Sequence, residues 1–190
     1  MFFKSVSEVS DGDLRFLERA PERPVHHHEN RLTIHDASLV DGWIRLEQCH
    51  SHLDPVASMQ IVYGEGRIRA LEILNHHGIG KTWVLGHTVQ LEDVAPGAGL
   101  CIRAETRALA RDEQGNYQLA NGPYMRRFLD GFYPMRVSVD VNLDTDRLGF
   151  LDITPAPQPG FLIQQDARHI RFDALFEGML RTLIRFRPRP

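Results

Sequence analysis

Hydrophobic and polar residues alternate along most of the chain after Arg31, and this period of two predicts β-strands. In 137–143, three valines and a leucine occupy every second position, with polar residues between them. The same alternation recurs over 44–47 and 100–108. It places one set of side chains in a core and the other in water, as in antiparallel sheets with one solvated face.

Short strands separated by turn residues predict an all-β fold. Further candidate strands are 31–40, 59–63, 67–74, 82–91, 148–153, 161–164, 168–172 and 180–187. Turn residues fall between them at 63–66, 112–116 and 144–146. We therefore expect a mainly antiparallel, two-sheet β-sandwich that is immunoglobulin-like or jelly-roll-like.

The first 24 residues differ from the rest and are interpreted as a lead-in. Residues 10–13 resemble a helix start, Leu14, Leu17 and Ala20 have helical spacing, and prolines follow at positions 21 and 24. The prediction is a short N-terminal helix within a lead-in of residues 1–24, followed by a single β-sandwich domain over 25–190.

Composition limits the function classes. The chain has 190 residues, 42 % of them hydrophobic, with a formal net charge of −3. This charge argues against a general nucleic-acid binder, which needs a broad positive field. No apolar run approaches the roughly 20 residues of a membrane-spanning helix. Because the N-terminus lacks a signal-peptide pattern, the protein is either cytoplasmic or exported after removal of a signal.

Two cysteines, Cys49 and Cys101, share the polar faces of their predicted strands. Cys49 has the parity of Arg45 and Glu47, so both thiols should point away from the core. Two readings stay open. Either the cysteines form a cross-strand disulfide, which favours an exported protein, or they are two free thiols.

Ten histidines are the unusual feature of the composition. His50 and His52 are two residues apart, so on a regular strand they would point the same way and could share one metal ion. Imidazole suits zinc and copper. The predicted ligands are His50 and His52, joined by His26, His28, His76 and His77. The alternative is that these histidines are solvated or hydrogen-bonded at strand ends.

Residues 75–82 end like a phosphate-binding P-loop, in Gly80-Lys81-Thr82. The first position is Asn75 rather than glycine, and a strand pattern follows instead of a helix. A glycine turn between two strands is therefore the preferred interpretation.

The segment 121–134 does not fit the strand pattern and is predicted to be a long connection or a short helix. Arg126 and Arg127 lie between Tyr124 and Tyr133, and such a set can clamp an anion or meet a partner. Ordinary packing of arginine on aromatic rings is the competing interpretation.

No nucleophile motif and no carboxylate pair stand out, so the sequence provides no support for catalysis. The leading hypothesis is a non-enzymatic module that recognises another protein through loops or an edge strand. The alternative is a zinc- or copper-binding protein. A weaker third hypothesis is an enzyme that holds an anionic substrate with Arg126 and Arg127. The sequence does not decide whether the protein forms a homo-oligomer.

Overall fold

The computed structural model describes residues 12–19 and 21–189, and this part of the chain is nearly all β. One short helix, α1 (Ser38–Asp41), interrupts the strands. The strands are β1 (Arg15–Phe16), β2 (His27–His35), β3 (Trp43–Leu53), β4 (Val56–Val62), β5 (Ile68–Leu85), β6 (Thr88–Arg107), β7 (Leu109–Arg111), β8 (Tyr117–Tyr124), β9 (Arg126–Phe128), β10 (Gly131–Tyr133), β11 (Met135–Asp144), β12 (Leu148–Thr154), β13 (Phe161–Gln165), β14 (His169–Glu177) and β15 (Leu180–Pro188).

These strands form three sheets within the described residues. The large sheet has nine strands in the order β1-β14-β11-β2-β3-β6-β4, with β13 also on β14 and β5 also on β6. A four-stranded sheet has the order β12-β15-β8-β7, and β9 pairs with β10 as a hairpin. The pairing of β2 with β11 is parallel, and all the other pairs are antiparallel. The expected mainly antiparallel, all-β architecture is confirmed.

One hydrophobic core contains residues from both the large and the four-stranded sheets. From the large sheet, Val137, Val139 and Val141 are at most 2 % exposed, and from the four-stranded sheet Leu119 and Phe186 are fully buried. The alternation over 137–143 therefore marks inward and outward positions as predicted. No helix among the described residues has the length and apolar character needed to cross a bilayer.

The predicted N-terminal helix is wrong over the residues that the structure describes. Arg15 and Phe16 form strand β1 and pair with Glu177 and Phe176 of β14. The Phe16 ring stacks on Phe161 at 4.9 Å, and Arg15 donates to the buried Glu177 carboxylate at 2.7 Å. A two-turn helix has little stability of its own, whereas this sheet edge supplies backbone, aromatic and ionic partners. Residues 10, 11 and 20 of the prediction lie outside the described part.

Two further predictions fail in the middle of the chain. The expected glycine turn at 75–81 is absent: β5 runs through it, with a register shift between His77 and Ile79 at Gly78, whose φ is +66°. The chain reverses instead at Gly86. The segment 121–134, expected to be a connection or a helix, continues β8 and then forms the β9–β10 hairpin. The division of the chain at residue 24 stays a prediction.

Candidate functional site

The inner face of β2 and β3 changes from apolar to polar along its length. At one end, leucine and isoleucine side chains face each other across the two strands. Towards the other end, Asn30 lies opposite Gln48 and His28 lies opposite His50, and all four are buried. Buried polar side chains are costly unless they are hydrogen-bonded, so this half of the face must supply its own partners.

These side chains form one connected group, the inner polar network. Its members are His26, His28, Asn30, Gln48, His50, Tyr63 and Tyr124. His26 Nε2 is 3.0 Å from His50 Nδ1, and His50 Nε2 is 3.3 Å from Gln48 Oε1. The Tyr63 hydroxyl donates to the same Gln48 oxygen at 2.5 Å.

The second half of the network reaches the four-stranded sheet. Gln48 Nε2 is 2.7 Å from His28 Nε2 and donates to Asn30 Oδ1 at 3.1 Å. Asn30 Nδ2 in turn donates to the Tyr124 hydroxyl at 2.6 Å. Because Tyr124 lies on β8, these hydrogen bonds connect the large sheet to the four-stranded sheet. The network therefore replaces apolar packing at this end of the core.

The imidazoles of the network are neutral at physiological pH. Burial is the main cause: it lowers the pKa of His26 to about 4 and that of His28 to about 3, and it holds the pKa of His50 well below 6.5. With neutral rings, both bonds of His50 are satisfied when His26 donates from Nε2 to His50 Nδ1 and His50 donates from Nε2 to Gln48. His28 Nε2 accepts from the Gln48 amide. No ring needs a second proton for this arrangement.

Three of the six predicted metal ligands, His26, His28 and His50, thus come together, and the others do not join them. The expectation that His50 and His52 share a face is wrong, because the β3–β6 register shifts between His50 and Leu53 and His52 has a φ of +54°. This bulge leaves His52 exposed while His50 is buried. His76 and His77 are exposed on β5. Among the described residues, no three or more His, Cys, Asp or Glu side chains are arranged to hold a metal.

Arg126 fixes the base of the β9–β10 hairpin beside this network. Its Nε and Nη2 donate to the two carboxylate oxygens of Asp54 at 2.8 and 2.5 Å, and its Nη1 donates to the Pro134 carbonyl at 3.2 Å. The guanidinium carbon also lies 5.6 Å from the Phe128 ring centre and 5.7 Å from that of Tyr133. A bidentate, aromatic-flanked arginine holds both strands of the hairpin in one orientation.

The hairpin tip is apolar and exposed. Phe128 is 44 % exposed and Leu129 is fully exposed. Behind them, the Tyr133 hydroxyl donates to Asp130 at 2.5 Å, and Arg127 lies over the Phe132 ring at 5.4 Å. The tip is therefore a small hydrophobic surface on a braced support.

The four residues predicted to meet a partner take different positions. Tyr124 is buried and bonded to Asn30, so a partner cannot reach it. Arg126 is occupied by Asp54, and Tyr133 braces the turn. Arg127 is exposed and forms no ion pair within the described residues. The tip itself carries no binding motif in the sequence; its Phe-Leu-Asp-Gly stretch is only a turn signal between aromatic strands.

Cys49 and Cys101 lie directly opposite each other on β3 and β6 and are joined by a disulfide, with Cα atoms 4.1 Å apart. Both side chains lie on the outer face of the large sheet, as their parity predicted. Next to them, successive strands place opposite charges side by side in one row: Arg171, Asp140, Arg31, Glu47 and Arg103. This face is polar and largely satisfied by its own ion pairs.

A cleft of about 1180 Å³ is lined by outer-face residues of β2, β11 and β14 and by lead-in residues that include Leu17, Pro21 and Val25. In it, His27 Nε2 is 2.7 Å from Ser138 Oγ, and Ser138 donates to Asp173 at 2.8 Å. Arg136 binds both oxygens of the same carboxylate. Because the serine gives its one proton to Asp173, His27 must donate to it, so Ser138 is not poised as a nucleophile. These residues come from three strands, so no local sequence motif predicts that they lie together.

Comparisons with known proteins do not assign a family. No protein-family profile and no curated protein matches the sequence. A solved structure of a two-domain M1 zinc metallopeptidase, a mutant bound to L-tryptophan, is similar over 95 % of this chain with 11 % identity and a TM-score of 0.40. This chain covers 46 % of that structure.

Proposed function

We propose that this protein is a non-enzymatic recognition module that binds a protein partner through the tip of the β9–β10 hairpin. The observation that carries the proposal is the exposure of Phe128 and Leu129 on a hairpin fixed at its base by Arg126 and Asp54. A pre-ordered loop loses little conformational entropy on binding, and apolar anchors seated in a pocket supply most of the affinity of such interfaces.

The chemistry of the tip specifies the partner surface. Two adjacent apolar side chains require a hydrophobic socket, and Arg127 carries a charge beside them without an ionic partner in the described residues. A socket bordered by carboxylates complements both features. We therefore infer a protein partner with an apolar pocket and an acidic rim.

Site-specific photocrosslinking tests this proposal. A photoreactive amino acid placed at Leu129 should yield one defined protein adduct, and the same group placed at Leu162, which is 69 % exposed on β13, should not. The purified partner should then bind the unmodified chain and lose about tenfold or more in affinity for Leu129→Ser, the cost of one buried leucine anchor. Leu162→Ser is the matched control.

Three outcomes contradict the proposal. Equal crosslinking from positions 129 and 162 would show a nonspecific surface. Unchanged affinity of Leu129→Ser for the captured partner would place the contact elsewhere. Co-sedimentation of the chain with anionic phospholipid vesicles, lost in Leu129→Ser, would make the tip a membrane-contacting loop instead.

The support of the hairpin can be tested separately. Asp54→Ala removes the bidentate partner of Arg126, so we expect trypsin to cut faster after Arg127 while the far-UV spectrum is retained. Partner affinity should fall with the loss of order, although the tip is chemically unchanged. Protection from trypsin equal to that of the parent chain would show that Arg126 does not brace the hairpin.

Zinc or copper binding is a second candidate, favoured by the 3.0 Å approach of His26 Nε2 to His50 Nδ1. Two imidazoles are fewer protein ligands than zinc sites normally use. Titration with Zn²⁺ or Cu²⁺ should raise the melting temperature of the parent chain and not that of His50→Ala. A flat response in the parent eliminates this candidate.

We infer a two-sheet sandwich because buried residues of the large sheet and of the four-stranded sheet share one core. Whether it is immunoglobulin-like or jelly-roll-like stays a prediction. The Cys49–Cys101 disulfide favours an oxidising compartment, and hence export.

A further inference from the structure

A second, smaller pocket on the molecule gathers arginines. It has a volume of about 430 Å³ and lies between α1 and the adjoining ends of β5, β6 and β7. Its charged lining residues are Arg67, Arg107, Arg111 and Asp41. We call this the arginine pocket. Its lining shares no residue with the hairpin tip or with the inner polar network.

The topology brings the three arginines together from distant parts of the sequence. Arg67 immediately precedes β5, and Arg107 is the last residue of β6. The two strands are antiparallel neighbours. The Arg107 amide donates to the Arg67 carbonyl at 3.0 Å, which sets these two residues side by side. Arg111 ends β7, and Leu109 of that strand donates to Gly42 just after α1 at 3.2 Å. The grouping therefore follows from backbone pairing.

The three guanidinium groups of the pocket bond to backbone carbonyls and form no direct ion pair within the described part of the chain. Each guanidinium bonds to a backbone carbonyl: Arg67 to that of Arg107 at 3.4 Å, Arg107 to that of Asp41 at 3.2 Å, and Arg111 to that of Gly115 at 3.2 Å. No ion pair joins any of them to a described carboxylate. Each side chain keeps further N–H donors for another acceptor.

The one carboxylate of the lining is already engaged. Asp41 Oδ1 accepts the Trp43 amide at 3.0 Å. Three guanidinium charges against one carboxylate leave a formal excess of two positive charges in the pocket. A ligand that matches this excess carries about two negative charges on several oxygens.

We propose that the arginine pocket binds a tetrahedral oxyanion, either phosphate or sulfate, free or as the ester of a small molecule. Guanidinium groups present paired N–H donors that match the oxygens of such anions, and their positive field attracts the ligand into a concave site. Tyr117 borders the site. The Tyr117 hydroxyl donates to the Leu39 carbonyl at 3.3 Å, and this bond orients the ring. The ring lies 5.8 Å from the Arg111 guanidinium and helps to position it.

Isothermal titration calorimetry at low ionic strength tests the proposal with inorganic phosphate, sulfate, glycerol phosphate and chloride as probes. The parent chain should bind phosphate or sulfate at one site and show no comparable binding of chloride. Arg107→Gln and Arg111→Gln should each weaken binding by about tenfold, the loss of one charged contact. Arg111→Lys should weaken it less, because it keeps the charge but not the fork.

The control is Arg181→Gln, which also removes one positive charge, but at an exposed position on β15 outside the pocket. It should bind like the parent chain. Tighter binding of glycerol phosphate than of phosphate indicates an ester ligand, and the reverse order indicates the free anion. No binding at millimolar phosphate and sulfate, or equal weakening by the pocket and control variants, overturns the proposal. Unchanged melting temperatures of the variants exclude unfolding as the cause of any loss.

Discussion

The inner polar network predicts that the protein loses stability when the pH falls below about 6.5. The pKa of His26 is about 4 and that of His28 about 3 in the folded chain, against 6.5 for an exposed histidine. Between these values the unfolded chain binds protons that the folded chain does not. The free energy of unfolding therefore decreases as the pH falls, and it continues to decrease until the folded-state pKa values are reached.

The size of the effect follows from these values. On lowering the pH from 7.5 to 5, each of the two rings should cost about 2 kcal/mol of unfolding free energy, or about 4 kcal/mol together. His50, whose pKa is also lowered by burial, adds to the loss. A loss of this size is a large part of the stability of an ordinary domain, which is roughly 5–15 kcal/mol.

Urea unfolding followed by circular dichroism at pH 7.5, 6.5, 5.5 and 5.0 measures this dependence. In His26→Gln one titrating ring is removed, so between pH 5.5 and 5.0 the slope should fall by about 1.2 kcal/mol per pH unit. His76→Gln, which replaces an exposed histidine on β5, is the matched control. Equal stability of the parent at pH 7.5 and 5.0, or identical slopes in all three proteins, would refute the reasoning.

Two further predictions concern the covalent link and the backbone. Replacing Cys49 and Cys101 by serine opens a link between residues 52 positions apart and should lower the free energy of unfolding by about 4 kcal/mol, measured in urea. A loss below about 1 kcal/mol would contradict this chain-entropy argument. Gly42→Ala should lower the melting temperature more than Gly86→Ala. Both glycines have positive φ, but an added Cβ at Gly42 meets the Leu109 carbonyl at 2.5 Å and one at Gly86 meets nothing within 4 Å. Equal shifts for the two variants would show that the contact at Gly42 relaxes.

The failures of sequence reasoning have a common physical origin. His50 and His52 would share a face on a regular strand, and the bulge between His50 and Leu53 separates them. Tyr124 resembles a surface aromatic in the sequence, yet β8 carries it to the Asn30 amide from 94 positions away. In each case the decisive partner lies on another strand.

The amino-acid sequence by itself determined which residues alternate, because successive side chains on an extended chain point to opposite faces. From that rule follow the all-β class, the buried valines of β11 and the outward faces of Cys49 and Cys101. Only the tertiary structure decided which histidines meet, that a hairpin presents Leu129, and that three arginines surround one pocket. Register, bulges and strand order between distant segments depend on contacts that no local pattern encodes.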